Sequence, residues 1–153
     1  MSITIGSLDL NSLSSNGTYF EFIRGGLQSL ASFRGEDDII PSAAGRDPGQ
    51  WIADFREVGI HGIVAGTGGS QAGRESFATR SAALISEMDP TTLTTITVTA
   101  PDFGLGVGEV ATLSNVRPQR IVGPDPSTLG YEGWEVTLEL VCIDSPPDWV
   151  IGS

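Results

Sequence analysis

Apolar and polar residues alternate along most of this chain with the period of two that a half-buried strand requires. Ile3 and Ile5 alternate with polar neighbours, and Leu8 and Leu10 follow a Gly6-Ser7 break, which predicts a short strand or hairpin at the start. The polar run 11–18 reads as a turn or loop, and 19–23 as an aromatic strand that Gly25-Gly26 ends. Residues 34–50 are dense in Gly, Pro, Asp and Ser around Ile39-Ile40, so an extended loop holding at most a short strand is expected. Residues 51–55 lean towards strand. From Arg56 the pattern is clear: Val58, Ile60, Gly62 and Val64 share one face of a strand, with Gly59, His61 and Ile63 on the other.

Three more strands are predicted at 94–100, 108–116 and 133–144. In the last, Trp134, Val136, Leu138, Leu140 and Cys142 line one face and Glu135, Thr137 and Glu139 the other, before Val141 and Ile143 take over. That strand is expected to be open to solvent on one side in its first half and covered on both sides near its end. One stretch has the helical period. Between about 74 and 88, Phe77, Ser81, Leu84 and Met88 recur at helical spacing, and Ala78, Ala82 and Ile85 widen the stripe. Glu75 suits the positive end of the helix dipole, Asp89-Pro90 stops the helix, and 66–73 before it reads as a long flexible loop.

Strands therefore precede and follow a single helix rather than alternating with helices. The expected fold is mainly β, an antiparallel β-sandwich or barrel of about seven to nine strands with one α-helix packed on it. At 153 residues, with no internal repeat, the chain reads as one domain over 1–153.

Charge narrows the function. All 8 basic residues are Arg, and 19 carboxylates bring the net charge to −11. Such a surface opposes gripping of nucleic-acid phosphates, which needs a positive field, and suits solubility or a wall that DNA slides past. The N-terminal residues lack the charged and apolar regions of a secretory signal, and the apolar runs are too short to span a membrane.

Reactive side chains are scarce. Cys142 is the only cysteine and reads as a buried free thiol. His61 is the only histidine and lies within an alternating strand, as a surface or interface residue does rather than a general base. Glu36-Asp37-Asp38 lack the spacing of a Ca²⁺ loop. The glycine runs 66–69 and 104–108 lack either the P-loop Lys or a following helix N-terminus. Asn16-Gly17-Thr18 matches a glycosylation sequon without a leader. No catalytic, cofactor or metal site is expected, and the chain reads as a non-enzyme.

The order of the pieces carries more than any one of them. An opening SITIGSLDLNSL, a loop holding IIPSAAGRDPG, the strand REVGIHGIVAG, a helix after a loose loop, TTITVTA, and the paired VATLSNVRP and GWEVTLELVCID together resemble the belt domain of siphophage distal tail proteins. Ile40, Pro41, Gly45, Arg46 and Asp47 resemble that family's apolar-Pro-Gly-Arg-Asp loop, with Ser42-Ala43-Ala44 separating the Pro from the Gly. Many such proteins continue into a second domain, whereas this sequence runs to Asp148-Trp149-Val150-Ile151-Gly152-Ser153, so the resemblance leads to the expectation of a belt domain alone.

The resemblance implies a structural virion protein forming a hexameric ring at the distal end of a phage tail and joining the tail tube to the tail tip. Implied partners are copies of itself, the tail tube protein, the tape-measure protein and the tail-tip hub, with DNA passing unbound through the lumen. Neither a cofactor nor a membrane is implied. The expected location is the virion tail, assembled in the host cytoplasm. Alternatives are a major tail tube protein, a tail-terminator or connector ring and, more distantly, a carbohydrate-binding β-sandwich using Trp51, Trp134 or Trp149. Ring subunits meet through edges, loops and Arg-carboxylate pairs, which makes Arg34, Glu36, Asp37, Asp38, Arg46 and Asp47 contact candidates. The apolar Trp149, Val150 and Ile151 join them as a tail that docks on a neighbour.

Overall fold

The computed structural model describes residues 2–10, 20–27, 32–34, 38–39, 46–47, 52–66, 70–99, 105–125 and 133–152. Within these residues eleven strands and one helix of full length follow in chain order: β1 (Ser2–Ile5), β2 (Leu8–Asp9), β3 (Phe20–Arg24), β4 (Ser32–Arg34), β5 (Asp38–Ile39), β6 (Arg46–Asp47), β7 (Ile52–Val64), α1 (Ser70–Glu87), β8 (Thr94–Thr99), β9 (Val110–Val122), β10 (Trp134–Cys142) and β11 (Val150–Gly152). Nine strands form one sheet along the path β2-β1-β8-β9-β10-β7-β3, with β11 beside β9 and β4 beside β7; β5 and β6 make a separate ribbon. Every pairing is antiparallel. The fold is mainly β with one helix, as the alternation predicts, and among the described residues the sheet does not close into a barrel.

Alternation sets which face is buried. Ile3 and Ile5 of β1, Ile96 and Val98 of β8, Leu113 of β9, Leu138 and Leu140 of β10, Val58 and Ile60 of β7, and Phe20 of β3 belong to one core. In the predicted core strand, Val58, Ile60, Gly62 and Val64 are buried, while His61 and Ile63 face outward. Gly62 is required by its neighbour in register, Phe20, because a Cβ at Gly62 would overlap the Phe20 ring. Ring and glycine thus fill one core position between them.

Two irregularities bend β9, since an extra residue in one strand kinks and twists it. Asn115 has φ 53°, between the partners of Thr94 and Ile96. Further along, Leu140 pairs with Pro118 and Glu139 with Arg120, so Gln119 is the extra residue. Pro118 cannot donate to a ladder, and a bulge is where a proline is tolerated in a strand.

The helix begins four residues before its predicted start and takes in residues 70–73 of the expected flexible loop. Arg80 Nη1 donates to Ala65 O at 2.6 Å, and a Cβ at Gly66 would meet the Gly73 carbonyl, so the helix start is drawn onto the end of β7. At the other end Ser7 Oγ donates to Glu87 Oε1 at 2.9 Å. At 1.5 Å per residue α1 is about 27 Å long. Five strand spacings, from β7 to β2, come to about 24 Å, so α1 is long enough to reach from β7 to β2 as a strap.

Gly73, Phe77, Ser81 and Leu84 of the helix are buried, with Met88 just past its end, a narrower stripe than expected. Ala78, Ala82 and Ile85 are exposed because each lies one residue, about 100° of rotation, past a buried position. Beyond Asp89-Pro90, the Asp89 carboxylate accepts the Thr91 hydroxyl at 2.7 Å and its amide at 2.9 Å, which holds this carboxyl below its usual range.

Three other expectations change. The strand predicted at 108–116 starts at Val110 and runs to Val122. The end of β10 is not covered on both sides: Val141 is half-buried and Ile143 is exposed. Residues 34–50 hold more strand than expected, since β4 ends at Arg34 and β5 and β6 both fall inside the segment. The predicted loop 11–18 lies outside the described residues.

Candidate assembly surfaces

The outward face of β3, β7, β10 and β9 is built by register. Arg24 and Glu139 both align with Gly59, and Arg120 aligns with Glu139. A Cβ at Gly59 would meet Ile23 and Arg24, so the glycine gives these side chains room to lie across β7. Arg24 then reaches Glu57 at 3.8 Å and Glu139 at 3.6 Å, and Arg120 Nε donates to Glu139 Oε2. The hydrogen bond from Arg120 holds the Glu139 carboxyl below the usual range and raises Arg120 in turn. These groups surround an open depression of about 210 Å³ lined by Arg24, Glu57, Gln119, Arg120 and Glu139, smaller than most small-molecule sites.

One row along, His61 aligns with Glu21 and Thr137. Its Nδ1 lies 3.0 Å from Thr137 Oγ1, and its Nε2 lies 3.2 Å from Glu135 Oε1. His61 is thus a half-buried surface residue held between two strands. On the opposite face Cys142 is buried and donates its thiol to Ser114 O at 3.2 Å, and burial pushes the thiol above its ordinary range. That favours the neutral thiol over the thiolate nucleophile. Among the described residues no three His, Cys, Asp or Glu side chains gather as a metal site would, and no helix is long and apolar enough to cross a membrane.

The second surface is the C-terminal segment. Arg56 is only 4% exposed and lies on the side of β7 that also buries Val58 and Ile60. Nε donates to Pro147 O at 2.8 Å, Nη1 to Gly26 O at 3.4 Å, and Nη2 to Asp148 Oδ1 at 3.3 Å. Trp149 completes the clamp by donating Nε1–H to Gly25 O at 3.0 Å and setting its ring edge-on to Phe22, centroids 5.6 Å apart. The segment then enters β11, where Val150, Ile151 and Gly152 pair with Thr112, Ala111 and Val110.

The sequence-predicted contact residues fall in different places. Arg34 aligns with Ile52 at the end of β4, and Asp38 with Asp47 and Ile39 with Arg46 in the β5–β6 ribbon. Glu36 and Asp37 lie outside the described residues. Trp149 packs on its own chain, whereas Val150 and Ile151 are exposed at 70% and 56%. Sequence reading missed the Arg24–Glu57–Glu139–Arg120 row and the Arg56 clamp. Alternation does mark Glu139 as outward, but its partners lie on other strands and need the register to be named. Of the aromatics a sugar site would use, Trp134 is buried and Trp149 is half-buried against Phe22, while Trp51 lies outside the described residues.

The architecture is that of an open antiparallel sheet strapped by one helix, its exposed chemistry spread over strand faces and edges. No protein family and no curated protein matches the sequence. The fold is shared with the SPP1 Dit protein, described as a paradigm of the hub adsorption apparatus in phages infecting Gram-positive bacteria. The match has a TM-score of 0.58 at 19% identity and covers 94% of this chain and 50% of that one, so the chain spans half of SPP1 Dit's length. The tube-terminating cap of the anti-feeding prophage overlays with a TM-score of 0.45 at 16% identity, over 99% of this chain and 87% of the cap.

Proposed function

We propose that this chain is a structural component of a phage tail, a ring-forming subunit at the distal end that joins the tail tube to the tail tip. The observation that carries the reading is the fold shared with SPP1 Dit over 94% of the chain, a hub protein by its description. Two independent features support it. The order of sequence segments resembles the same family, and the exposed chemistry is edges and ion-paired strand faces rather than an enclosed pocket. The ring is a homo-oligomer, with six copies as the resemblance implies. Its net charge of −11 per chain leaves a lumen that DNA passes without binding. Its neighbours along the tail are the tube protein, the tape-measure protein and the tip hub, and it resides in the virion after assembly in the host cytoplasm.

Native mass spectrometry and negative-stain imaging of the purified chain test this. Closed rings of six are expected, and labelled copies on intact particles should mark one position at the tail end. A chain that stays monomeric at high concentration and in the presence of tail components overturns the ring. Label along the whole tail length overturns the distal position in favour of a tube subunit.

A further inference from the structure

The strand edges of this molecule are not alike. Exposed edges invite pairing with another chain, and proteins blunt them with charge, bulges or shortness. Edge strand β3 carries exposed Glu21 and Arg24 and a register shift between Phe22 and Arg24. β2 is two residues long and includes Asp9, and β4 has a register shift between Ser32 and Phe33. β11 is short, at three residues, but has neither charge nor bulge: Val150, Ile151 and Gly152 are exposed and pair with β9 on one side. Among the described residues nothing pairs with its other side.

The surroundings of β11 extend the same character. The 105–109 turn leads into β9 beside Gly152, and its Val107 is 98% exposed. A Cβ at Gly108 or Gly152 would meet open space. Among the described residues the two carboxylates that flank this edge in sequence each bond to their own chain: Glu109 accepts the Gly106 amide at 2.6 Å, and Asp148, itself exposed, pairs with Arg56 at 3.3 Å. An aliphatic edge whose own three residues carry no charge thus sits on a chain of net charge −11. Two such chains repel over most of their surface, and the repulsion is weakest where charge is absent.

We infer that β11 is the strand edge through which a second copy of this chain docks, its backbone extending the sheet into the neighbour while Val107, Val150 and Ile151 are covered. In a closed ring of more than two copies the contact is head-to-tail, so β11 meets a different edge of the next subunit. This rests on the ring reading and names its interface. The Arg56 and Trp149 clamp positions the edge by fixing the chain immediately before it.

The test measures association by analytical ultracentrifugation for wild type, Ile151→Lys and, as a control at an exposed aliphatic elsewhere, Leu93→Lys. Both substituted residues are exposed, so native folding is expected, with circular dichroism as the check. Ile151→Lys should raise the half-association concentration by roughly ten-fold or more, because a buried unpaired charge opposes docking, while Leu93→Lys leaves it unchanged. Hydrogen exchange provides a second readout: among 150–152, the amides that point away from β9 should become protected as concentration rises. A wild type that oligomerises while Ile151→Lys assembles equally well overturns the β11 interface and leaves the ring standing. Protection of the amides pointing away from β9 that does not vary with concentration means the chain covers its own edge, and also overturns it. A wild type that is monomeric throughout overturns the ring reading itself.

Discussion

Strand β10 shows two kinds of surface on one backbone. Inward, Trp134, Val136, Leu138, Leu140 and Cys142 are buried in a core assembled from six strands and the helix. Outward, Glu135 and Thr137 share one partner, His61, and Glu139 meets two, Arg24 and Arg120. The inward side is tolerant of which apolar residue meets which, because burial is non-directional and scales with area. Outward contacts are directional, and each depends on the residue brought opposite. The first surface holds the molecule together; the second and the strand edges are what it leaves exposed.

The sharpest way to break this contrast is to damage the inward face. Leu138→Ala removes a fully buried side chain at the centre of the sheet and should cost about 3 kcal/mol, with a cavity left behind. Urea unfolding followed by tryptophan fluorescence would read it as a lowered midpoint with an unchanged slope. A loss below about 1 kcal/mol would mean that the core repacks around the hole, and that the inward face is looser than its burial indicates.

Arg56 stands between the two kinds, a charged group on the inward side. Arg56→Ala leaves the Pro147 and Gly26 carbonyls without a donor they now have, and should cost about 2 kcal/mol. It should also raise the exchange rate of amides in 148–152 ahead of global unfolding, since the clamp on that segment is gone. Equal exchange in both proteins would show that Trp149 and β11 hold the segment unaided.

The smallest effect belongs to the outward face. Glu139→Gln should change the unfolding midpoint little at neutral pH, because exposed ion pairs contribute weakly. Its pH dependence is informative. The Glu139 carboxyl is held below its unfolded value of about 4.3, so its stabilisation is present above that pH and is lost as pH falls through the lower folded value. The wild-type advantage over Glu139→Gln should therefore persist at pH 6 and vanish in acid below the ordinary carboxylate range. An advantage that survives there would mean that packing, not charge, accounts for it.

Much of the fold was legible in the chain. The strands at 2–5, 56–64, 94–99 and 134–142 were readable because alternation is a local property that needs no knowledge of neighbours. The helix was readable from Phe77 to Met88 for the same reason. Its first turn was not, because Ser70, Gln71, Ala72 and Gly73 carry no apolar repeat. Their helical state follows from the end of β7, where Arg80 takes the Ala65 carbonyl and Gly66 lies against Gly73. The β5–β6 ribbon was similarly hidden, since pairs of two residues are too short to show a period. Of the candidate contacts, Val150 and Ile151 stood out in sequence as an apolar tail, and the fold made them a strand edge.

The amino-acid order alone settled that the chain is antiparallel β with a single helix, and which side of each main strand faces inward, because those follow from the spacing of apolar residues over a few positions. Only the folded structure decided which residues meet. Had β9 no bulge at Gln119, that residue rather than Arg120 would stand opposite Glu139. Arg56 finds Pro147 across 91 positions of chain. Register and long-range closure depend on how strands slide past one another, and no local pattern encodes that.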